Sequence, residues 1–195
     1  MKIAKAVALF VFLACMLWAG PKAEEELAKP IRPALLVIDI QNQYLPWVPE
    51  REREIGMEFI NACIQQFRRH GFPIIRVYHT EPKWGPDPDS EEFQFPESVL
   101  IEESDPMIVK NYANAFNKTD LHKVLKKSDA NVLFLCGMSS VGCVLATYFG
   151  AMDYDYKALM VEDAIMCHDS EYTDAVEEMF NTVNYAVLQM ILEGA

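Results

Sequence analysis

Length, composition and charge limit what this chain can do. Its 195 residues include 29 acidic and 17 basic side chains, which gives a formal net charge of −12 at pH 7. This acidity argues against nucleic acid as a partner and against adhesion to anionic lipid surfaces. We expect a small molecule as the main partner, and the length suffices for one domain with a substantial core.

The first 20 residues have the pattern of an export signal. Lys2 and Lys5 precede an almost wholly apolar stretch, Ala6–Ala19, which has the length of a secretory leader and is short for a membrane span. We predict a leader over residues 1–20, a tether over 21–32 and a folded domain over 33–195. The protein is therefore expected to be exported, and to be secreted or periplasmic.

The end of the leader allows two kinds of processing. Phe12-Leu13-Ala14-Cys15 resembles a bacterial lipobox, in which Cys15 would be acylated and would hold the domain at a membrane. The alternative is an ordinary cleaved leader with an incidental cysteine. The other cysteines show no CxxC spacing. A disulfide among Cys63, Cys136 and Cys167 is allowed in an oxidising compartment, but no framework is evident, so we expect mostly free, buried thiols.

Short apolar runs alternate with helical patterns along the chain. The periodicity predicts helices at about Glu54–His70 and after Thr119, Cys143 and Ser170. Repeated strand–helix units imply an α/β fold, a mostly parallel, doubly wound sheet in three layers with helices on both faces. The six predicted strands are Ala34–Ile40, Ile74–Tyr78, Met107–Val109, Val132–Cys136, Tyr156–Val161 and Tyr185–Leu188.

One long connection, Thr80–Pro106, interrupts this rhythm. It is rich in Pro, Asp and Glu and contains Trp84. Long ordered loops in compact domains are often lids or binding loops, although an insertion without function is the alternative. Tyr44 and Trp47 lie in the loop after the first strand and, like Trp84, could stack on a planar substrate. A small core within the lid, or a contact between subunits, is an equal alternative for these aromatic residues.

Residues 131–147, NVLFLCGMSSVGCVLAT, predict a buried strand, a tight turn and a cysteine at the start of the next helix. A helix start offers unpaired N–H groups and partial positive charge, which favour the nucleophilic thiolate of Cys143. Cysteine is also a common buried small residue, so this segment alone leaves a purely structural role open.

Three reactive residues are predicted at the carboxyl ends of strands. Asp39 closes the first strand, Lys110 follows the third and Cys143 follows the fourth. Ligands of doubly wound sheets bind at this edge. A carboxylate can accept the thiol proton, an ammonium favours the thiolate, and the thiolate can attack a carbonyl carbon.

At these positions the chain resembles the isochorismatase-like cysteine hydrolases, a family that includes nicotinamidases and related amidohydrolases. Four stretches carry the resemblance in the order of the family: ALLVIDIQNQY with Asp39, VKNYANAF with Lys110 and Phe116, CGMSSVGCVLAT with Cys143, and VEDAIMCHD around Asp163. The resemblance implies a cysteine–aspartate–lysine triad that hydrolyses a C–N bond through a thioester. It also implies a cis peptide between Met138 and Ser139, and an oxyanion hole formed by the N–H groups of Ser139 and Cys143.

The end of the second predicted strand departs from the nicotinamidase pattern. Nicotinamidases carry an aspartate and two histidines there, which bind a divalent metal, whereas RVYHTEPKW offers only His79 with Glu81 nearby. We therefore predict neither metal nor cofactor, and interpret His79 as a wall of the substrate pocket. Phe116 and His168 are further substrate-binding candidates, with a structural role as the alternative for His168.

The sequence thus predicts an exported, metal-free cysteine hydrolase of small amide, ureide or carbamoyl compounds. Relatives of this kind are commonly dimers or tetramers, so a homo-oligomer is expected. Two alternatives stay open. One is a vinyl ether hydrolase of the isochorismatase type, and the other is a membrane-tethered binding module that kept the fold without turnover.

Overall fold

The computed structural model describes residues 30–81, 83 and 85–195. The leader, Cys15, most of the tether and Trp84 therefore lie outside the described residues, and the predictions made for them stay predictions. Within the described part of the chain, no helix is both long enough and apolar enough to cross a membrane.

One parallel sheet holds all the strands of the described residues. Its order is β3-β2-β1-β4-β5-β6, and each neighbouring pair is parallel. The chain winds outward from β1 to β3 and then returns to the other side of β1, so the strand order reverses between β1 and β4. Ligands of doubly wound sheets bind at such a reversal. The strands are β1 (Pro33–Ile38), β2 (Ile74–His79), β3 (Met107–Lys110), β4 (Val132–Met138), β5 (Lys157–Met166) and β6 (Thr182–Val183).

Helices cover both faces of this sheet, which confirms the three-layer α/β prediction. Successive residues of β1 point to opposite faces. Leu35 and Val37 belong to one buried cluster, which includes residues of α1 and α5. Leu36 and Ile38 belong to a second cluster with residues of α2, α3 and α4. The helices are α1 (Glu50–Arg69), α2 (Leu121–Lys127), α3 (Leu145–Asp153), α4 (Ser170–Met179) and α5 (Tyr185–Glu193).

The prediction of a sixth strand at Tyr185–Leu188 is wrong, because these residues begin α5. The sixth strand is shorter and earlier, at Thr182–Val183. Asn184 caps the helix, since its side chain accepts a hydrogen bond from the N–H of Val187 at 3.0 Å. Leu188 and Leu192 are both buried on one face of α5. The apolar residues therefore follow a helical period, but a run of four residues is too short to show it in the sequence.

The long connection between β2 and β3 is anchored on the sheet by aromatic stacking. Phe93 and Phe95 stack on Tyr78 of β2, with ring centroids 4.9 Å and 4.1 Å from the tyrosine ring. All three rings are buried. This middle part of the connection therefore belongs to the core, and its first residues are the ones that reach the carboxyl edge of the sheet.

Candidate active site

Asp39, Lys110 and Cys143 meet at the carboxyl edge of the sheet. Asp39 directly follows β1, Lys110 ends β3, and Cys143 lies in the turn Ser140–Val144 between β4 and α3. The ammonium Nζ of Lys110 donates to Asp39 Oδ2 at 2.6 Å and to Cys143 Sγ at 3.2 Å. The side chains of Lys110 and Asp39 are 0% and 4% exposed. The structure thus brings a carboxylate, an ammonium and a thiol into one contact group.

His79, the last residue of β2, is the third contact of the ammonium. Its Nδ1 lies 3.0 Å from Lys110 Nζ. Because the ammonium can only donate, Nδ1 must carry no proton. Burial, together with the charge of Lys110, lowers the pKa of His79 to about 4, so the ring is neutral at neutral pH.

Gln41 fixes the backbone of His79. Its side-chain Nε2 donates to the carbonyl of His79 at 3.0 Å, and the N–H of His79 donates to Gln41 Oε1 at 2.7 Å. Gln41 is fully buried. Gln41 was not among the predicted site residues, and the available signal was a polar residue directly after the otherwise apolar predicted strand Ala34–Ile40.

The protonation of the thiol differs from the expectation for a helix start. Burial, reinforced by the charge of Asp39, raises the pKa of Cys143 to about 12, although Lys110 opposes this. Burial also raises the pKa of Asp39, while the charge of Lys110 opposes that rise. α3 itself begins at Leu145, so Cys143 precedes the first turn of this helix instead of lying in it. The resting site therefore holds a protonated thiol beside a carboxylate that is paired with an ammonium.

Three potential metal ligands converge in this site. A carboxylate oxygen of Asp39, a ring nitrogen of His79 and the sulfur of Cys143 lie within 4.8 Å of one another. However, the ammonium of Lys110 is within hydrogen-bond distance of all three side chains. A divalent ion at their common centre would have to displace a buried positive charge. The residues present therefore do not fit a metal ion while Lys110 keeps this position.

The turn after β4 has the backbone features expected of an oxyanion hole. The peptide bond between Met138 and Ser139 is cis, which confirms the prediction. The carbonyl of Ser139 accepts hydrogen bonds from the N–H groups of Gly142 at 2.9 Å and Val144 at 3.1 Å. Within the described residues, the N–H of Ser139 has no hydrogen-bond acceptor. Ser139 and Cys143 both border the same cavity.

Gly137 allows β4 to approach β1 just before this turn. It pairs with Ile38 in the sheet and has a φ of 112°. A Cβ atom at this position would lie 2.0 Å from the carbonyl oxygen of Ile38. No side chain can be accommodated there, because real Cβ contacts are longer than 3.0 Å. This close approach brings the residues that follow β1 and β4 together.

A cavity of about 290 Å³ opens above the contact group. Of the substrate-binding candidates, Tyr44, Trp47 and His79 line it. The rings of Tyr44 and Trp47 meet edge to face with centroids 5.3 Å apart, and Trp47 is 59% exposed. Trp84 lies outside the described residues. The cavity therefore has the size of a small-molecule site with aromatic walls.

Three further lining residues were not predicted as site residues: Glu81, Gly85 and Met138. Glu81 follows β2 by two residues and is partly buried. From the sequence, Glu81 could be named only as a neighbour of His79, because its position on the cavity depends on how the chain turns after β2.

Phe116 and His168 lie outside the lining of this cavity. Phe116 is buried and stacks on Tyr154, with ring centroids 5.1 Å apart. His168 is exposed, and its Nδ1 lies 3.2 Å from the sulfur of Cys167. That sulfur is 3.0 Å from Ser139 Oγ, so in the described part of the chain His168 is linked to the site through Cys167 and Ser139.

The described cysteines are all free. Cys63, Cys136 and Cys167 are fully buried, whereas Cys143 is partly exposed. The expectation of free, buried thiols is therefore confirmed for the described residues, and Cys143 is the most accessible of them.

A cysteine, a carboxylate and an ammonium lie together at the carboxyl edge of the doubly wound sheet, where its strand order reverses, and this arrangement suits a hydrolase with a cysteine nucleophile. Residues 33–190 match the Isochorismatase domain, and the chain belongs to the isochorismatase family.

Three known proteins illustrate the relationship. The uncharacterised isochorismatase family protein YddQ of Bacillus subtilis is 36% identical over 140 residues, which cover 67% of this chain and 76% of that protein. The pyrazinamidase of Pyrococcus horikoshii, solved in complex with zinc, has a TM-score of 0.70 and 23% identity, covering 79% of this chain and 99% of that one. The N-carbamoylsarcosine amidase of Thermoplasma acidophilum has a TM-score of 0.68 and 22% identity, covering 79% and 95%. The two structures are similar in fold.

Proposed function

We propose that the protein is a cysteine hydrolase that cleaves the C–N bond of a small amide, ureide or carbamoyl compound through a thioester. The observation that carries this proposal is the contact of Lys110 Nζ with both Asp39 Oδ2 and Cys143 Sγ beside the cavity. Two proteins of similar fold, a pyrazinamidase and an N-carbamoylsarcosine amidase, also support C–N cleavage.

The first half of the reaction forms the thioester. Asp39 accepts the proton of Cys143, and the thiolate attacks the carbonyl carbon, so a C–S bond forms while the carbonyl electrons move onto oxygen. The N–H groups of Ser139 and Cys143 stabilise this oxyanion. When the intermediate collapses, the C–N bond breaks, and Asp39 gives its proton to the leaving nitrogen.

The second half hydrolyses the thioester. Asp39 accepts a proton from water, and the resulting hydroxide forms a bond to the thioester carbon. Collapse of this second intermediate breaks the C–S bond and releases the acid. The sulfur takes back the proton from Asp39, so the site returns to its starting protonation state.

Lys110 compensates the negative charge that moves between Asp39 and Cys143. Its ammonium has three N–H donors, and Asp39, His79 and Cys143 are its three contacts. The neutral ring of His79 thus holds the ammonium in the orientation in which it contacts Asp39 and Cys143. In this proposal His79 is a positioning residue as well as part of the pocket wall.

Substitution of the nucleophile tests the proposal. Cys143→Ala should reduce ammonia release from a panel of small amides to the uncatalysed level. It should change the melting temperature little, because Cys143 is partly exposed at the cavity. Cys63→Ala is the matched control. It should keep the activity and lower the melting temperature, since removing a fully buried sulfur leaves a cavity away from the site.

Three results would contradict the proposal. Equal loss of stability and activity in Cys143→Ala would mark the residue as part of the core. Turnover of a vinyl ether without turnover of any amide would assign the other reaction of the family. A site that neither turns over amides nor reacts with iodoacetamide at Cys143 faster than at Cys63 would indicate a binding module.

A further inference from the structure

We infer that the cavity selects small amides that carry a cationic group at the end remote from the scissile carbonyl, and that Glu81 determines this preference. The inference deepens the proposed function and depends on it for the reaction, whereas the charge preference of the cavity can be measured without turnover.

The charges around the cavity leave one negative group uncompensated. The carboxylate of Asp39 is paired with Lys110 at 2.6 Å. His79 is neutral because its pKa is about 4, and Cys143 is protonated because its pKa is about 12. Among the described lining residues, this leaves the carboxylate of Glu81 as the net charge.

The backbone around Glu81 holds it at the cavity. The N–H of Gly85 donates to the carbonyl of Glu81 at 2.9 Å, and Thr80 Oγ1 donates to the carbonyl of Pro86 at 2.8 Å. The N–H of Thr80 also donates to the carbonyl of Lys110 at 2.9 Å. A Cβ atom on Gly85 would lie 2.1 Å from the backbone nitrogen of Glu81. The turn is thus too tight for a side chain at Gly85, and it is attached to the ends of β2 and β3.

The charge of Glu81 also acts on Tyr44, another residue that lines the cavity. Burial raises the pKa of Tyr44 to about 12, and the negative charges of Asp39 and Glu81 are among the further causes of this rise. Within the described residues, Glu81 forms no ion pair with a lysine, arginine or histidine. Its carboxylate is therefore available to a ligand.

The aromatic wall suits the same ligand chemistry. Tyr44 and Trp47 stand beside the cavity, and Trp47 is largely exposed. An ammonium or guanidinium group gains from both a carboxylate and an aromatic face. No arginine lines the described part of the cavity, and Lys110 is already paired. An amide that carries a carboxylate would instead be repelled by Glu81.

Thiol reagents of similar size and different charge measure this preference at Cys143. The probes are the cationic aminoethyl, the anionic sulfonatoethyl and the neutral methyl methanethiosulfonates, with the labelled cysteine identified by peptide mass. In the wild type the cationic reagent should react faster than the anionic one. In Glu81→Gln the ratio of the two rates should fall on the order of tenfold, because removing the charge slows one reagent and speeds the other.

Glu91→Gln is the matched control, because it removes one negative charge from an exposed residue outside the cavity lining. Its rate ratio should stay close to that of the wild type. An unchanged ratio in Glu81→Gln, or equal changes in both variants, would overturn the inference, since the net charge of −12 would then explain the preference. In the wild type, the ratio of the cationic to the anionic rate should also persist at high salt, because salt screens charges within the cavity less than charges on the surface.

A matched set of amides separates this inference from the proposed function. The set is 3-aminopropanamide, butanamide and succinamate, which differ mainly in the charge of the remote group. The inference expects kcat/KM to decrease in that order, and the differences to narrow in Glu81→Gln. Turnover without a charge order would overturn the inference and leave the hydrolase. A cationic labelling preference that depends on Glu81, without turnover of any amide, would overturn the hydrolase and leave the cationic site.

Discussion

Asp39 has two opposite effects on Cys143. As a base, its carboxylate accepts the thiol proton in the proposed reaction. As a buried negative charge, the same carboxylate raises the pKa of the thiol. Lys110 contacts both groups, so its positive charge remains beside the sulfur when the carboxylate is removed.

Asp39→Asn should separate these two effects. We expect turnover to fall on the order of 10²-fold or more, because the proton acceptor is lost. We also expect the pKa of Cys143 to fall from about 12, because burial still raises it but the charge of Asp39 no longer does, while Lys110 continues to lower it. The pH dependence of iodoacetamide labelling at Cys143 measures the second effect.

Asp163→Asn provides a control for this substitution. Asp163 also has a positive φ, 61° against 54° for Asp39, so both variants place asparagine in the same backbone region. Asp163 does not line the active-site cavity, and its variant should keep both activity and labelling profile. Retention of most activity by Asp39→Asn would show that another group is the base.

The sequence alone reveals which reactive groups follow the ends of strands. Asp39, Lys110 and Cys143 could be named because parallel strands bring their carboxyl ends to one edge. Gln41 and Glu81 could not be named in this way. Gln41 forms two hydrogen bonds to the backbone of a neighbouring strand, and Glu81 reaches the cavity through a turn. A turn leaves no local sequence pattern, and the polar Gln41 after an apolar run does not reveal its hydrogen-bond partner.

Where α4 packs against β5, the carboxyl group of Glu177 lies in surroundings that disfavour its ionised form. Glu177 on α4 is partly buried, and its Oε1 accepts a hydrogen bond from the N–H of Asp163 at 3.2 Å. Burial raises the pKa of Glu177 to about 7, and the charges of Asp163, Glu162 and Asp174 contribute. At neutral pH the helix therefore holds a carboxylate that is costly to ionise.

Glu177→Gln should stabilise the protein at high pH. The folded-state pKa lies above the unfolded value of 4.5, so wild-type stability falls as pH rises from 4.5 through 7. At pH 8 the variant should gain about 1 kcal/mol in the free energy of unfolding, since glutamine keeps the hydrogen-bond acceptor without the charge. Below pH 4.5 the difference should disappear.

Urea unfolding at both pH values measures this gain. Glu178→Gln, an exposed neighbour on the same helix, is the control and should change stability little at either pH. A gain in Glu177→Gln that does not depend on pH would mean that something other than ionisation is responsible.

The buried strands were easier to locate from the sequence than the last helix. Runs such as ALLVI in β1 are buried on both faces, and this gives an unbroken apolar signal. β6 has two residues, too few for any pattern. The apolar residues that follow it belong to α5, whose Asn184 cap was the overlooked signal.

The active site connects four strands of the sheet. Asp39 follows β1, His79 ends β2, Lys110 ends β3 and Cys143 follows β4. The ion pair between Lys110 and Asp39 therefore spans from the edge strand β3, across β2, to the central strand β1. Both charges are almost completely buried, so each depends on the other for its stability.

Lys110→Met tests how far the whole fold depends on this pair. The substitution leaves the Asp39 carboxylate buried without its counter-charge, and should lower the free energy of unfolding at pH 7 by about 3–5 kcal/mol. Lys110→Met combined with Asp39→Asn should be more stable than Lys110→Met alone, because the uncompensated charge is gone. Urea unfolding of the single and double variants measures both values.

The double variant distinguishes a charge effect from a packing effect. If the stem of Lys110 mattered mainly for packing, methionine would replace most of it and the single variant would lose little stability. If the two substitutions were simply additive, the double variant would be the least stable, and the ion pair would not link the strands. Lys118→Met, at an exposed lysine outside this group, should leave stability nearly unchanged. A non-additive result would show that the charges proposed for catalysis also hold the edge of the sheet to its centre.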